Sequence, residues 1–223
     1  ELTATPFTQQ GQNRADFKNI AYSYPLANAL TDGFVKEPAV GTRENFNAKN
    51  YEPDQLERLK LEDGVRFHEH TKVELEVYAR DNALPIVKPF MLVVAQDTAH
   101  ANALVKVIED DDFFEGRYKG KVITVHSNQR GEEKDETVQQ LLTVEDPENP
   151  VEIVIHVNML KEGWDVTNLF TIVPLRAANA HQLVEQTVGR GLRLPYGKRT
   201  GNPAVDRLTI VSHDKFQEIV DQA

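Results

Sequence analysis

Two arginines near the end of the chain have a spacing that suits phosphate binding. Arg190 and Arg193 lie in the segment Q-T-V-G-R-G-L-R, residues 186–193, with a glycine on each side of the first arginine. On a continuous helix Gln186, Arg190 and Arg193 would share one face. If the helix ends near Gly189, the two arginines still lie about one turn apart. Two guanidinium groups on a platform that glycines leave open suit a polyphosphate.

The charge pattern marks the same part of the chain. Residues 176–199 contain five basic residues and one acidic residue, in a chain of formal charge −10. On charge alone, an alternative of equal weight is that these arginines pair with the chain's many carboxylates and that the glycines only end a helix. The acidic balance excludes a generally basic protein that wraps nucleic acid. The absence of cysteine excludes disulfides and thiol chemistry.

Short apolar runs alternate with amphipathic runs in the second half of the chain, which predicts an α/β fold. We predict strands at residues 90–95, 122–125, 151–157, 169–174 and 208–211, and helices at residues 97–109, 132–142, 179–190 and 214–220. The near-continuous apolar strands favour a mostly parallel open sheet with helices on both faces. Chemistry in such sheets lies beyond the carboxyl ends of the strands, which directs attention to residues 96–98, 126–128, 158–165 and 176–180.

The first 85 residues differ from the rest. Residues 1–40 are rich in turn and aromatic residues, with a helix predicted at residues 25–30 and no independent core. Residues 51–82 are charged and helical in pattern. The predicted buried positions there are Leu56, Leu59, Leu61, Val73, Leu75, Val77 and Tyr78. We therefore divide the chain into an N-terminal linker region at residues 1–40, a helical connector or insertion at residues 41–85, and an α/β domain at residues 86–223.

Other polar residues follow the predicted strands. Gly163 and Asp165 offer a tight backbone and a carboxylate that could hold a ribose hydroxyl or a water, although a simple capped turn is the alternative. No metal site is predicted, because the side chains of the H-E-H segment at residues 68–70 point apart on a helix.

Three segments in order resemble motifs of superfamily 2 helicases. They are T-A-T at residues 3–5 for motif III, G-W-D at residues 163–165 for the end of motif V, and residues 186–193 for the motif VI pattern Q-x-x-G-R-x-x-R. The sequence over residues 88–223 as a whole resembles the Res subunit of Type III restriction enzymes. Three motifs in register are more specific than any one of them.

The resemblance implies a motor of two RecA-like domains, of the P-loop NTPase type, with ATP and Mg²⁺ in the cleft between them. This chain would be the second domain with the end of the first. Arg190 and Arg193 would reach across the cleft to the ATP phosphates, with Arg193 as the arginine finger. Gln186 would orient water or nucleotide, and Gly163 with Asp165 would border the ribose and the hydrolytic site.

The motif near the start of the chain has a different implied role. Thr3, Ala4 and Thr5 would couple the nucleotide state to the nucleic-acid track. Polar residues at strand ends would contact the DNA backbone, and the candidates are Thr98, Ser127 and Asn158, with ordinary cap or turn roles as the alternative. The sequence contains no phosphate loop of the G-x-x-x-x-G-K-[ST] type and no acidic magnesium motif. The resemblance therefore implies that the chain alone binds neither ATP nor Mg²⁺ and is inactive.

The implied parent protein is an ATP-dependent DNA translocase or helicase and restriction endonuclease subunit, a cytoplasmic hydrolase. Its partners would be double-stranded DNA, the N-terminal RecA-like domain and a DNA methyltransferase subunit, without a membrane. Two alternatives stay open. One is a catalytically silent scaffold domain that binds nucleic acid or a partner, and the other is a motor for repair or RNA remodelling.

Overall fold

Six parallel strands form the central sheet in the computed structural model, which describes residues 7–10, 13–44, 46–126, 139–157, 166–175 and 188–212. These strands are β3 (Glu37–Gly41), β4 (Phe90–Val94), β5 (Val122–His126), β6 (Ile153–Val157), β7 (Leu169–Pro174) and β8 (Arg207–Val211). Their order across the sheet is β3-β8-β7-β4-β6-β5. The strands β1 (Phe7–Gln10) and β2 (Asn13–Asp16) form a separate antiparallel pair. The predicted open, mostly parallel α/β sheet is confirmed.

Burial on both faces explains why the strands read as continuous apolar runs. Every residue of β4, β6 and β7 is buried, which is typical of parallel strands covered on two sides. The predicted strand at residues 169–174 coincides with β7, and the other predicted strands differ by one or two residues at their ends. Edge strand β3 was not predicted, and it crosses the division that we placed after residue 40.

The helices in the described part of the chain include α1 (Leu26–Thr31), α2 (Pro53–Asp81) and α3 (Thr98–Ile108). Helix α2 begins with proline in its first turn, where the missing N–H is not needed. Helix α3 is capped by Asp97, whose carboxylate accepts a hydrogen bond of 2.8 Å from the backbone N–H of His100. None of the described helices is both long and apolar enough to cross a membrane.

Helices α2 and α3 cover one face of the sheet. Leu61 and Val65 of α2 and Leu104 of α3 pack with buried strand residues in one cluster. Helix α2 approaches the sheet so closely that a Cβ on Gly64 would lie 2.4 Å from Cγ2 of Val173. A side chain there would have to displace α2 or β7, so glycine sets the distance between them.

The opposite face is covered by segments from several parts of the chain. Leu141, Val144 and Leu192 are buried in the cluster on this face, and Val188 packs against it. Residues 139–142 are helical, as are residues 188–191. The rest of the helices predicted at residues 132–142 and 179–190, and the whole of that at residues 214–220, lie outside the described residues. The described covering elements bear out the prediction of helices on both faces.

Two residues predicted to be buried are exposed. Val73 and Val77 of α2 expose 56% and 37% of their surfaces. Leu75, between the two valines, is fully buried. Because successive residues turn by about 100° around a helix, residues two positions from a buried one face almost the opposite way. The apolar pattern included these valines on the wrong side of α2.

Candidate functional site

The arginine segment begins in a helical turn and leaves it between the two arginines. Residues 188–191 are helical, and the backbone N–H of Leu192 donates to the Val188 carbonyl at 3.1 Å. The N–H of Arg193 donates to the Arg190 carbonyl at 3.4 Å, so the last turn is tighter than an α-helix. Arg190 is half-buried and Arg193 is exposed. The expected separation of about one turn between the arginines is therefore observed.

The two glycines of the segment have different surroundings. A Cβ on Gly191 would lie 2.6 Å and 2.7 Å from the two terminal carbons of Leu208, whereas a Cβ on Gly189 would meet nothing within 4 Å. Leu208 is fully buried. The close approach at Gly191 is thus made by this chain's own core, and it presses the segment against β8.

A backbone hydrogen bond also holds the segment. The N–H of Lys36 donates to the Leu192 carbonyl at 2.7 Å. Lys36 directly precedes β3 and Leu208 is the second residue of β8, so these contacts lie at the amino ends of the two strands. The backbone at residues 191 and 192 therefore lies at the amino edge of the sheet. The segments that we singled out beyond the carboxyl ends of the strands do not include it.

Most other predicted site residues lie outside the described part of the chain. These are Thr3, Ala4, Thr5, Ser127, Asn158, Gly163, Asp165 and Gln186. Thr98 is described as the partly exposed first residue of α3. The cap of that helix is Asp97 and not Thr98. The DNA contact of Thr98 stays a prediction.

The chain is held firmly at Thr167, two residues after Asp165. The N–H and hydroxyl of Thr167 donate to Oε1 of Glu145 at 2.6 and 2.8 Å. The Thr167 carbonyl accepts a hydrogen bond of 2.9 Å from Nζ of Lys36. Lys36 therefore contacts the chain beside both predicted nucleotide segments, the one ending at Asp165 and the one containing the arginines.

The side chain of Lys36 is fully buried, which sequence analysis did not predict. Its Nζ also donates to the Leu169 carbonyl at 2.8 Å and lies 3.7 Å from the ring centroid of Phe170. Burial lowers the pKa of Lys36 well below the ordinary lysine value, although the charges of Asp206 and Glu145 act in the opposite direction. A buried lysine has no signal in a single sequence beyond its place next to an apolar strand.

A second buried charge network joins α2 to the amino edge of the sheet. Glu152, just before β6, accepts hydrogen bonds from Lys72 of α2 at 2.9 Å and from Lys121 at 2.7 Å, and Nε2 of His68 lies 3.2 Å from it. Burial alone would raise the pKa of Glu152, but the hydrogen bonds from these basic neighbours outweigh it and hold that pKa well below its ordinary value. His68 is buried and His70 is exposed, so the two histidines do point apart.

The same network contains a geometric candidate for a metal site. His68, Glu69 and Glu152 each offer a ligand atom, and these atoms lie within 4.8 Å of one another. Two ammonium groups, however, already contact both carboxylate oxygens of Glu152. A divalent cation would have to displace or repel them, so the arrangement favours a structural ion-pair network over a metal site. A cavity of about 430 Å³ opens beside it.

The sequence of the chain is similar to that of restriction-enzyme subunits. The chain is 31% identical over 142 residues to the Res subunit of the Type III restriction-modification enzyme EcoP15I of Escherichia coli, covering 64% of this chain and 14% of that protein. It is 29% identical over 133 residues to the EcoPI Res subunit of Escherichia phage P1, covering 60% and 13%. The chain thus spans about one seventh of the length of these relatives. No protein-family profile matches it.

Solved structures agree on the fold. An HsdR subunit fragment of a type I restriction enzyme from Vibrio vulnificus YJ016 aligns with a TM-score of 0.56 at 20% identity, over 92% of this chain and 38% of that one. The ATP-dependent Type ISP restriction-modification enzyme LlaBIII, bound to DNA, aligns with a TM-score of 0.52 at 15% identity, over 94% and 15%. The chain is therefore similar in sequence to Type III Res subunits and in fold to these restriction-enzyme structures. The predicted resemblance is confirmed, and in this Res-like domain the arginine segment is the described part of the predicted nucleotide site.

Proposed function

We propose that this Res-like domain is the C-terminal motor domain of an ATP-dependent DNA translocase, and that it supplies Arg190 and Arg193 to ATP held by a preceding RecA-like domain. The observation that carries the proposal is the anchored arginine segment. Gly191 lies against Leu208 and the Leu192 carbonyl is bonded to Lys36, while Arg193 is exposed beside them.

Such an arrangement suits phosphoryl transfer. Catalysis of this reaction depends on positioning and on stabilising the charge that spreads over the transferred phosphoryl group. A guanidinium group keeps its charge and offers paired donors to phosphate oxygens. The residues described therefore fit the phosphates of ATP, whereas the phosphate loop and Mg²⁺ ligands would come from the preceding domain. Gln186, Gly163 and Asp165 keep their proposed roles beside the nucleotide.

The test uses the polypeptide in which the proposed ATP-binding domain precedes this chain. We expect DNA-stimulated ATP hydrolysis, and we expect Arg193→Ala to lower kcat by about a thousandfold, the usual contribution of an arginine finger. Arg190→Ala should also lower turnover. Arg80→Ala is the matched control, because the side chain of Arg80 is 71% exposed at the end of α2.

The outcomes separate motor from scaffold. Turnover that stays within twofold in Arg193→Ala would remove the finger role. A folded longer polypeptide with no ATPase activity on any DNA would instead favour the catalytically silent scaffold. Hydrolysis stimulated by RNA and not by DNA would assign the motor to RNA remodelling.

DNA contact by this domain is expected to be weak and electrostatic. We propose that the DNA backbone is contacted by Thr98, Ser127 and Asn158, and that the nucleotide state is coupled to the DNA track by Thr3, Ala4 and Thr5. We also propose that the whole protein is cytoplasmic and has a DNA methyltransferase subunit as a partner. The formal charge of −10 weakens the long-range attraction to DNA, so the affinity should be low. The affinity should also fall steeply with salt, because basic residues that contact phosphates release counterions. Fluorescence anisotropy of labelled duplex DNA at two salt concentrations checks this, and tight binding at the higher one would contradict it.

A further inference from the structure

We propose that Lys36 is a positioning residue for ATP hydrolysis, because it holds together the two chain segments that border the proposed nucleotide site. The inference rests on the proposed function and adds to it a residue that contacts neither nucleotide nor DNA. Lys36 lies outside every helicase motif matched in the sequence.

The contacts of Lys36 run in two directions. Its backbone N–H holds the Leu192 carbonyl, between the two arginines, at 2.7 Å. Its Nζ holds the carbonyls of Thr167 and Leu169, directly after the segment that ends in Asp165, at 2.9 and 2.8 Å. One residue therefore sets the distance between the segment that follows Asp165 and the segment that carries the arginines.

Stability alone does not account for this ammonium group. Within the described residues no carboxylate accepts a hydrogen bond from Lys36, whose partners are two carbonyls and the ring of Phe170. Burial of a charge without a contacting counter-charge is costly. A methionine of similar length would fill the same space without that cost, but it would leave the carbonyls of Thr167 and Leu169 without this donor. Because the two effects oppose each other, the lysine adds little net stability, while its two hydrogen bonds fix the strand that follows Asp165.

The expected effect on catalysis follows from positioning. A displacement of about 1 Å in a catalytic group can lower a rate by about a hundredfold. We expect Lys36→Met to lower kcat for ATP at least about tenfold and to leave KM within about threefold, since a finger contact acts mainly in the transition state. The melting temperature should change little, because the desolvation cost that is removed offsets the two hydrogen bonds that are lost.

Two measurements test the proposal. Hydrogen exchange on the 223-residue chain needs no nucleotide. In Lys36→Met the peptide covering residues 166–170, which loses both bonds to Nζ, should exchange at least about fivefold faster, whereas the backbone bond to the Leu192 carbonyl is kept. Turnover is then measured in the longer polypeptide with the preceding domain. Lys60→Met is the control, because Lys60 is a buried lysine on α2, and it should change neither measurement.

Each result decides the proposal. Faster exchange with lower kcat in a stable variant supports it, whereas unchanged exchange or turnover within twofold overturns it. If Lys36→Met does not fold, Lys36→Leu removes the donors with a shorter apolar side chain, and wild-type turnover in that variant overturns the proposal. If Arg193→Ala also turns over normally, the proposed function itself has failed, whereas a loss in Arg193→Ala alone rejects only the role of Lys36.

Discussion

Substitution of Gly191 by alanine tests how tightly the arginine segment is pressed against the sheet. The new Cβ would lie 2.6 Å from Cδ1 and 2.7 Å from Cδ2 of Leu208, well inside the normal contact distance. Leu208 is fully buried, so its side chain cannot rotate away into solvent. Either the segment moves outward or the core around β8 rearranges.

The expected destabilisation follows from the cost of overpacking. Inserting a methyl group into a well-packed core costs about 1–3 kcal/mol. We expect Gly191→Ala to lower the free energy of unfolding by about 2 kcal/mol, which corresponds to about 4–8 °C in Tm for a domain of this size. Gly189→Ala is the matched control. Its Cβ meets no described atom within 4 Å, so the gain in helix propensity should raise stability by up to about 1 kcal/mol.

Thermal and urea unfolding of the 223-residue chain provide the assay. The double variant Gly191→Ala with Leu208→Ala should recover part of the loss, because the removed side chain leaves room for the new methyl group. If Gly191→Ala is as stable as the wild type, or if the two substitutions are strictly additive, then Gly191 and Leu208 are not in contact. The conclusion that this contact holds the arginine segment against β8 would then be wrong.

Three further predictions concern charge and burial. Glu152→Gln should lower the free energy of unfolding by about 3 kcal/mol at pH 7 in urea titrations, because its basic neighbours lose their counter-charge. Since the pKa of Glu152 is held low, this contribution is present above the unfolded pKa of about 4.3 and declines as pH falls through the acid range. Equal stability of wild type and variant at pH 7 would contradict this prediction. The pKa of Lys36 is lowered, so the unfolded state binds more protons from the folded pKa up to about 10.4, and stability should rise with pH over that window in the wild type more than in Lys36→Met; parallel curves would refute this. Val73→Lys should change the free energy of unfolding by less than about 0.5 kcal/mol, whereas Leu75→Ala should lower it by about 3 kcal/mol. A larger loss in Val73→Lys than in Leu75→Ala in thermal unfolding would contradict this prediction.

The parallel sheet could be predicted because its strands depend on local sequence. A strand buried on both faces needs apolar residues at every position, and the run at residues 169–174 shows this directly. Edge strand β3 lacks that signal, since most of its residues are only partly buried and it contains a proline and a glycine. Its place is decided by pairing with β8, far away in the sequence.

The candidate site was predicted only as far as its own motif extends. The spacing of Arg190 and Arg193 is a local property, and the helical turn preserves it. The supports of the segment are Leu208 and Lys36, which lie on other parts of the chain. The hydrogen bond from Lys72 of α2 to Glu152 could not be predicted from the sequence either, because 80 residues separate the two. Contacts of this kind depend on the tertiary fold and not on spacing.

The sheet order has a consequence for synthesis of the protein. Strand β8 lies between β3 and β7, yet of the described strands it is made last. Until residues 207–211 leave the ribosome, β3 has no neighbour and β7 has one bare edge. Unpaired edges of apolar strands invite pairing with other chains. A chain that stops before β8 should therefore aggregate, since the sheet is completed by insertion of a central strand and not by addition at its border.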